Sequence, residues 1–173
     1  MSTYFIKNSI VQGSAKVKDY IKAVAAHDVG SLSVTNNPLP NRTGNRMQGK
    51  KPDFGPMYWQ GQLGKDTVTS LNALGLGTNL GTVEIIKVQS DGHNNVEEIK
   101  YTLGKLNGAT YAINWSIYYD ANSSSKSGNG IIYTLEVVTN GIEIESNAVD
   151  QDQQAKGKVS AGLSRLNRQA VQS

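Results

Sequence analysis

Few residue pairs in this chain have the types and spacing for chemistry. His27-Asp28 has the composition of a base and its orienter, but successive strand residues point to opposite faces, so a surface pair at a strand end is expected. Glu143 and Glu145 share one strand face, and paired carboxylates can serve glycoside hydrolysis. That reaction places its two groups on opposite sides of a sugar, whereas these alternate along a single strand, so a solvated face is expected. Gly75-Leu-Gly-Thr-Asn-Leu-Gly81 is one residue too long for a dinucleotide fingerprint and follows a helical stretch instead of opening one after a strand. It reads as a turn. Asp150-Gln-Asp152 lacks the glycine and distal glutamate that close a calcium loop. With two histidines and no cysteine, the chain has too few ligands for a multi-histidine metal site and offers no thiol nucleophile. No Gly-x-Ser-x-Gly, His-Glu-x-x-His or P-loop occurs. No catalytic, cofactor-binding or metal-binding residue is expected, and the reading is non-enzymatic.

The elements around these residues are mostly strands. Thr3–Val11, Tyr20–Ala25 and Val29–Thr35 are short apolar-rich or alternating runs, and Leu80–Gln89, Val96–Leu106, Ala109–Tyr119 and Ile131–Ser146 are longer ones. Tyr111, Ile113, Trp115, Ile117 and Tyr119 alternate with Ala112, Asn114 and Ser116, which means one face in a core and one face wet. On that pattern Trp115 is a core residue, while Tyr58-Trp59 is harder to place. Ser90–Asn95, Asn107-Gly108, Asn140-Gly141 and the Ser/Gly tract Asn122–Gly130 are turn signals, with Asn107-Gly108 the strongest hairpin candidate. One helix fits, capped by Asp66 or Thr67, ended by Gly75, and docked through Val68, Leu71 and Leu74. The fold class is mainly β: a small antiparallel β-barrel or sandwich with one short docked α-helix and a long extended loop.

At 173 residues the chain is one domain, 1–173, able to bury about 70% of its unfolded surface without staples. No apolar run approaches the length of a membrane span, and no signal peptide is visible in the first thirty residues. The net charge of +3 is segregated along the chain. Residues 1–34 carry four lysines against two aspartates, and 35–57 carry Arg42, Arg46, Lys50 and Lys51 against Asp53. Residues 58–155 hold eleven acids against five lysines, and 156–173 hold Lys156, Lys158, Arg165 and Arg168 with no acid. A nucleic-acid binder interleaves cations and aromatics on one face; basic ends around an acidic middle do not fit it, so no nucleic-acid partner is expected. Two readings remain: surface scatter, or a self-complementary molecule whose basic loop meets another copy's acidic patch.

All four prolines lie within Thr35–Met57, among the basic residues. Proline cannot donate to a central ladder, so this stretch is no core strand. A loop of this length is either disordered in the isolated subunit or an arm that docks on a partner or second copy.

Beyond the last strand, Asp150-Gln-Asp-Gln-Gln-Ala-Lys-Gly157, then Val159 and Gly162, resembles the C-terminal segment of the hemolysin-coregulated proteins, Hcp, the tube subunits of type VI secretion systems. Thr3-Tyr-Phe-Ile-Lys7, Val11-Gln-Gly13 and Tyr20-Ile-Lys-Ala-Val24 are similar to the start of that family, and the order of elements matches across nearly the whole chain. The resemblance implies a barrel that assembles with itself into hexameric rings, which stack into a tube inside a contractile sheath. It further implies a spike protein at the tip and effectors carried in the lumen. Such a subunit is made in the cytoplasm and secreted without a cleaved signal peptide, with no cofactor and no membrane insertion. Ring stacking would then use the basic residues Arg42, Arg46, Lys50, Lys51, Lys156 and Lys158. The rival reading is a monomeric ligand- or carbohydrate-binding β-module with Tyr58, Trp59 or Trp115 as stacking platforms.

Overall fold

The computed structural model describes residues 2–35, 38–40, 47–49, 53–90, 95–105, 108–120, 130–149, 155–164 and 171–172. Its strands in chain order are β1 (Ser2–Lys7), β2 (Val24–Val29), β3 (Val34–Thr35), β4 (Pro38–Pro40), β5 (Met47–Gly49), β6 (Asp53–Phe54) and β7 (Met57–Gln62). Then come helix α1 (Lys65–Leu76), β8 (Val83–Ser90), β9 (Asn95–Leu103), β10 (Thr110–Tyr119), β11 (Ile131–Thr139), β12 (Gly141–Val149), β13 (Ala155–Ser164) and β14 (Val171–Gln172). Ten strands form one antiparallel sheet in the order β10-β11-β7-β2-β1-β8-β9-β12-β13-β14, and among the described residues the sheet does not close.

Alternation explains the core. Ile6, Val24, Trp59, Val83, Ile85, Leu103, Tyr133, Leu135, Val137 and Ile142 come from several strands and meet in one buried cluster. A second cluster lies under the segment between β1 and β2, where Phe5, Ile86 and Val88 meet Tyr20 and Ala23. The expected strand at Tyr20–Ala25 begins only at Val24. Tyr20 instead precedes it outside any strand, its ring stacked on Phe5 at 4.5 Å and its hydroxyl donating to Glu97 at 2.9 Å.

Asn107 lies outside the described residues, and the strands before and after Asn107-Gly108 do not pair with each other. β9 pairs with β8 and β12, while β10 pairs only with β11, so the chain crosses here from one part of the sheet to its far edge. The expected single run Ile131–Ser146 splits at Asn140 for the same reason, since β11 and β12 have different neighbours. The two crossings are fastened together. Gly104 N–H donates to the Gly141 carbonyl at 2.8 Å and to Thr139 Oγ1 at 3.0 Å, and Ala109 N–H donates to Asn140 Oδ1 at 2.6 Å. Gly104 has φ of 78°, and a Cβ there would collide with the Gly81 carbonyl, so glycine is required at this corner.

The proline-rich stretch is not structureless. β3 pairs with β6 and β4 with β5, each pair a two-stranded antiparallel ladder separate from the main sheet. Pro38 and Pro40 lie in a strand with only one partner, the setting proline tolerates.

Helix α1 starts and stops outside the expected bounds. Gly64 is its N-cap, with Thr67 Oγ1 accepting the Gly64 N–H at 3.0 Å, and Gly77, at φ 62°, ends it two residues beyond Gly75. Its orientation also differs. Asp66, Thr67, Ser70 and Ala73 are buried, while Val68 and Leu71 are exposed. Of the expected docking residues Val68 and Leu71 face solvent and Leu74 is half-buried, while Asp66, Ser70 and Ala73 make the seam with the sheet.

Candidate assembly surfaces

Two features of the sheet are available to another chain. β10 ends the sheet at one side with ten residues that pair only with β11. At the other side β13 is also ten residues long, and β14 pairs with it only at Ala161 and Gly162. Among the described residues the sheet thus has two open, antiparallel edges, each a row of backbone donors and acceptors suited to pairing with a further strand.

The β10 edge is shaped by a bulge. Ala112 pairs with Val137 and Asn114 with Glu136, leaving Ile113 as the extra residue. Ala112 and Trp115, three positions apart, therefore both oppose buried residues, Val137 and Leu135. The expected single row of Tyr111, Ile113, Trp115, Ile117 and Tyr119 is broken: Trp115 turns inward, while Tyr111, Ile113, Ile117 and Tyr119 are exposed. A bulge bends its strand and re-aims the side chains beyond it.

Helix α1 is joined to β10 by a polar contact that a bond within the helix supports. Trp115 Nε1 donates to Ser70 Oγ at 3.2 Å, and Ser70 Oγ donates to the Thr67 carbonyl at 2.9 Å. At the first turn the Tyr133 hydroxyl donates to Asp66 Oδ2, and Trp59 Nε1 donates to Tyr133 Oη at 3.4 Å. Burial raises the Tyr133 hydroxyl far above its ordinary range, helped by the Asp66 carboxylate, so Tyr133 remains a neutral donor.

Three acids of the middle of the chain are tied to its own lysines. Lys87 bridges Glu98 at 3.1 Å, Lys100 bridges Glu145 at 3.3 Å, and Lys105 bridges Glu143 at 3.8 Å. Burial pulls the Lys100 ammonium down, and Glu145 and Glu84 more than offset it, so it stays charged. Of the basic residues expected to stack rings, Arg42, Arg46, Lys50 and Lys51 lie outside the described residues. Lys156 and Lys158 belong to β13, with Lys158 opposite Asn147.

The residues weighed for chemistry fall into structural places. Asp28 Oδ1 accepts the Val29 N–H at 2.9 Å, and His27 is exposed at a register shift in β2. Gly75 lies inside α1, Gly77 ends it, and Gly81, at φ 68°, precedes β8. Asp150 and Asp152 lie outside the described residues. Of the proposed stacking platforms, Trp59 is fully buried, Trp115 is half-buried against Ser70, and Tyr58 lies over Gly30, where a Cβ would meet its ring. An open groove of about 550 Å3 is lined by Lys7, Asn8, Gln12, Lys22, Leu80 and Glu84, without an aromatic residue.

No protein-family model and no curated protein matches the sequence. Solved structures do match the fold. A type six secretion system protein superposes with a TM-score of 0.79 at 14% identity, covering 99% of this chain and 100% of its own. Hcp1 from Salmonella typhimurium gives 0.74 at 12% identity, covering 98% and 99%. The anti-feeding prophage baseplate, described as 6-fold symmetrised, gives 0.50 at 12% identity over 83% of this chain and 91% of that one. The chain carries the Hcp fold from end to end.

Proposed function

We propose that this protein is a structural tube subunit of a bacterial type VI secretion or related contractile injection system, assembling into hexameric rings that stack into a secreted tube. The observation that carries the reading is a ten-stranded sheet that, among the described residues, ends in β10 on one side and on the other in β13, which β14 covers at Ala161 and Gly162. An edge that meets a different edge on the next copy makes a heterologous contact, and such contacts form a ring when their rotation closes. The shared fold with Hcp1 and with a type six secretion system protein supports the system, and the 6-fold description of the prophage baseplate supports the ring size. In this reading the β3–β6 arm joins one ring to the next, with Arg42, Arg46, Lys50, Lys51, Lys156 and Lys158 as the stacking cations. The sheath surrounds the tube, a spike protein caps it, and effectors occupy its lumen. The work is assembly and delivery, without bond-making.

Analytical ultracentrifugation of the purified chain at tens of micromolar tests the reading. A closed species near six subunits supports it. A monodisperse monomer overturns it and favours a ligand-binding module instead.

A further inference from the structure

A helix of twelve residues has little stability of its own, so α1 depends on its seam with the sheet. That seam is largely polar: of its four buried residues only Ala73 is apolar. At its start Asp66 is 5% exposed. Its carboxyl accepts the Tyr133 hydroxyl from β11, and Tyr133 in turn accepts the Trp59 indole from β7. The other neighbours along the helix are Gly64, Thr67 and Ser70, all uncharged, and Lys65, which is exposed. Trp115 from β10 reaches the seam one turn further on, at Ser70. Among the described residues no cation pairs with Asp66.

We propose that Asp66 is the proton-binding element of the joint between α1 and the sheet, holding the helix more tightly in acid than at neutral pH. A buried carboxylate with only neutral partners is costly, whereas the neutral acid keeps its bond to Tyr133 through its carbonyl oxygen without burying a charge. Burial raises the Asp66 carboxyl above its ordinary value of 3.8, with the Tyr133 hydrogen bond and its own backbone amide opposing the rise. The sign comes from linkage. Between the ordinary and the raised value the folded state binds more protons than the unfolded one, so stability falls as pH rises through that interval. The contribution is fully present below 3.8 and is lost as pH climbs through the folded value.

Asp66→Asn tests this, because it removes the titration and keeps an oxygen for Tyr133. The melting temperature of the wild-type chain should fall relative to the variant between about pH 4 and pH 7. The fall should be about 3–5 °C for each unit by which the folded value exceeds the free one. A difference that does not change with pH, or a wild type that gains on the variant as pH rises, overturns the proposal. If the variant does not fold, a carbon-13 NMR titration of the wild-type Asp66 carboxyl decides it. A midpoint above that of a free aspartate supports the joint, and one at or below it overturns it. The joint lies inside one subunit, so these outcomes are independent of whether the chain forms rings.

Discussion

The Trp115 indole N–H donates to the Ser70 hydroxyl at 3.2 Å, joining the edge strand β10 to α1 across 45 positions of sequence. Ser70 is fully buried and passes its own proton to the Thr67 carbonyl. Ser70→Ala leaves the indole N–H without this acceptor, which costs about 1–3 kcal/mol, while Trp115→Phe removes the donor and leaves the Ser70–Thr67 bond in place. A double-mutant cycle in urea should give a coupling of about 0.5–1.5 kcal/mol. Additive losses would mean that the two side chains do not support each other.

That contact also marks where sequence patterning stops being informative. Alternation locates β8, β9 and β10 within a few residues but runs β11 and β12 together as one strand. The prolines bound the arm, since proline is excluded from central ladders. Three features are not legible. Periodicity along α1 finds the apolar residues Val68 and Leu71 but cannot tell which face docks, because Asp66 and Ser70 find partners 67 and 45 positions away. The bulge at Ile113 is a single extra residue with no local signature, yet it changes which residues of β10 face inward. Asn-Gly dipeptides report a turn but not the strands it joins, and at Gly104 the contact that matters lies 35 positions away at Thr139. The stacking cations of the arm remain a proposal.

Two glycines should respond in opposite directions. Gly104 has φ of 78° and faces the Gly81 carbonyl, so Gly104→Ala meets both backbone strain and a collision. The strain alone costs about 1–2 kcal/mol, so the total loss should exceed about 2 kcal/mol. Gly75 is helical and exposed, and an added methyl group would have nothing within 4 Å, so Gly75→Ala should stabilise by about 0.5–1 kcal/mol. Urea midpoints measure both. Loss of stability in Gly75→Ala would show that the backbone there is not free to accept a side chain.

The open edge of β10 should control lateral assembly. Ile117 is 45% exposed, so Ile117→Lys places a charge beside the edge at a cost to subunit stability below about 1 kcal/mol. Charges on an edge strand discourage pairing with another strand. The variant should keep the wild-type circular dichroism spectrum and sediment as a smaller species. Rings of full size would remove β10 from the contact between copies.

Ring-to-ring contact should be the salt-sensitive step. The arm supplies Arg42, Arg46, Lys50 and Lys51, while Glu98, Glu145 and Glu143 are already engaged by Lys87, Lys100 and Lys105. A pairing of the arm with exposed acids of another copy is a rim contact, contributing about 0–1 kcal/mol per pair. Such terms add around a ring, so stacking should be cooperative, yet each term is screened. The Debye length falls from about 10 Å at 0.1 M salt to about 3 Å at 1 M. Lateral contacts made by strand pairing do not depend on that length and should persist. Tubes should therefore shorten into intact rings as salt rises. Reversing Arg42, Arg46, Lys50 and Lys51 to Glu should reproduce the high-salt state at low salt, giving rings that do not stack. Sedimentation across a salt series, with electron microscopy of the same samples, separates the two steps. Tubes of unchanged length in the reversed variant, or rings that dissociate before tubes shorten, would show that stacking does not run through these charges.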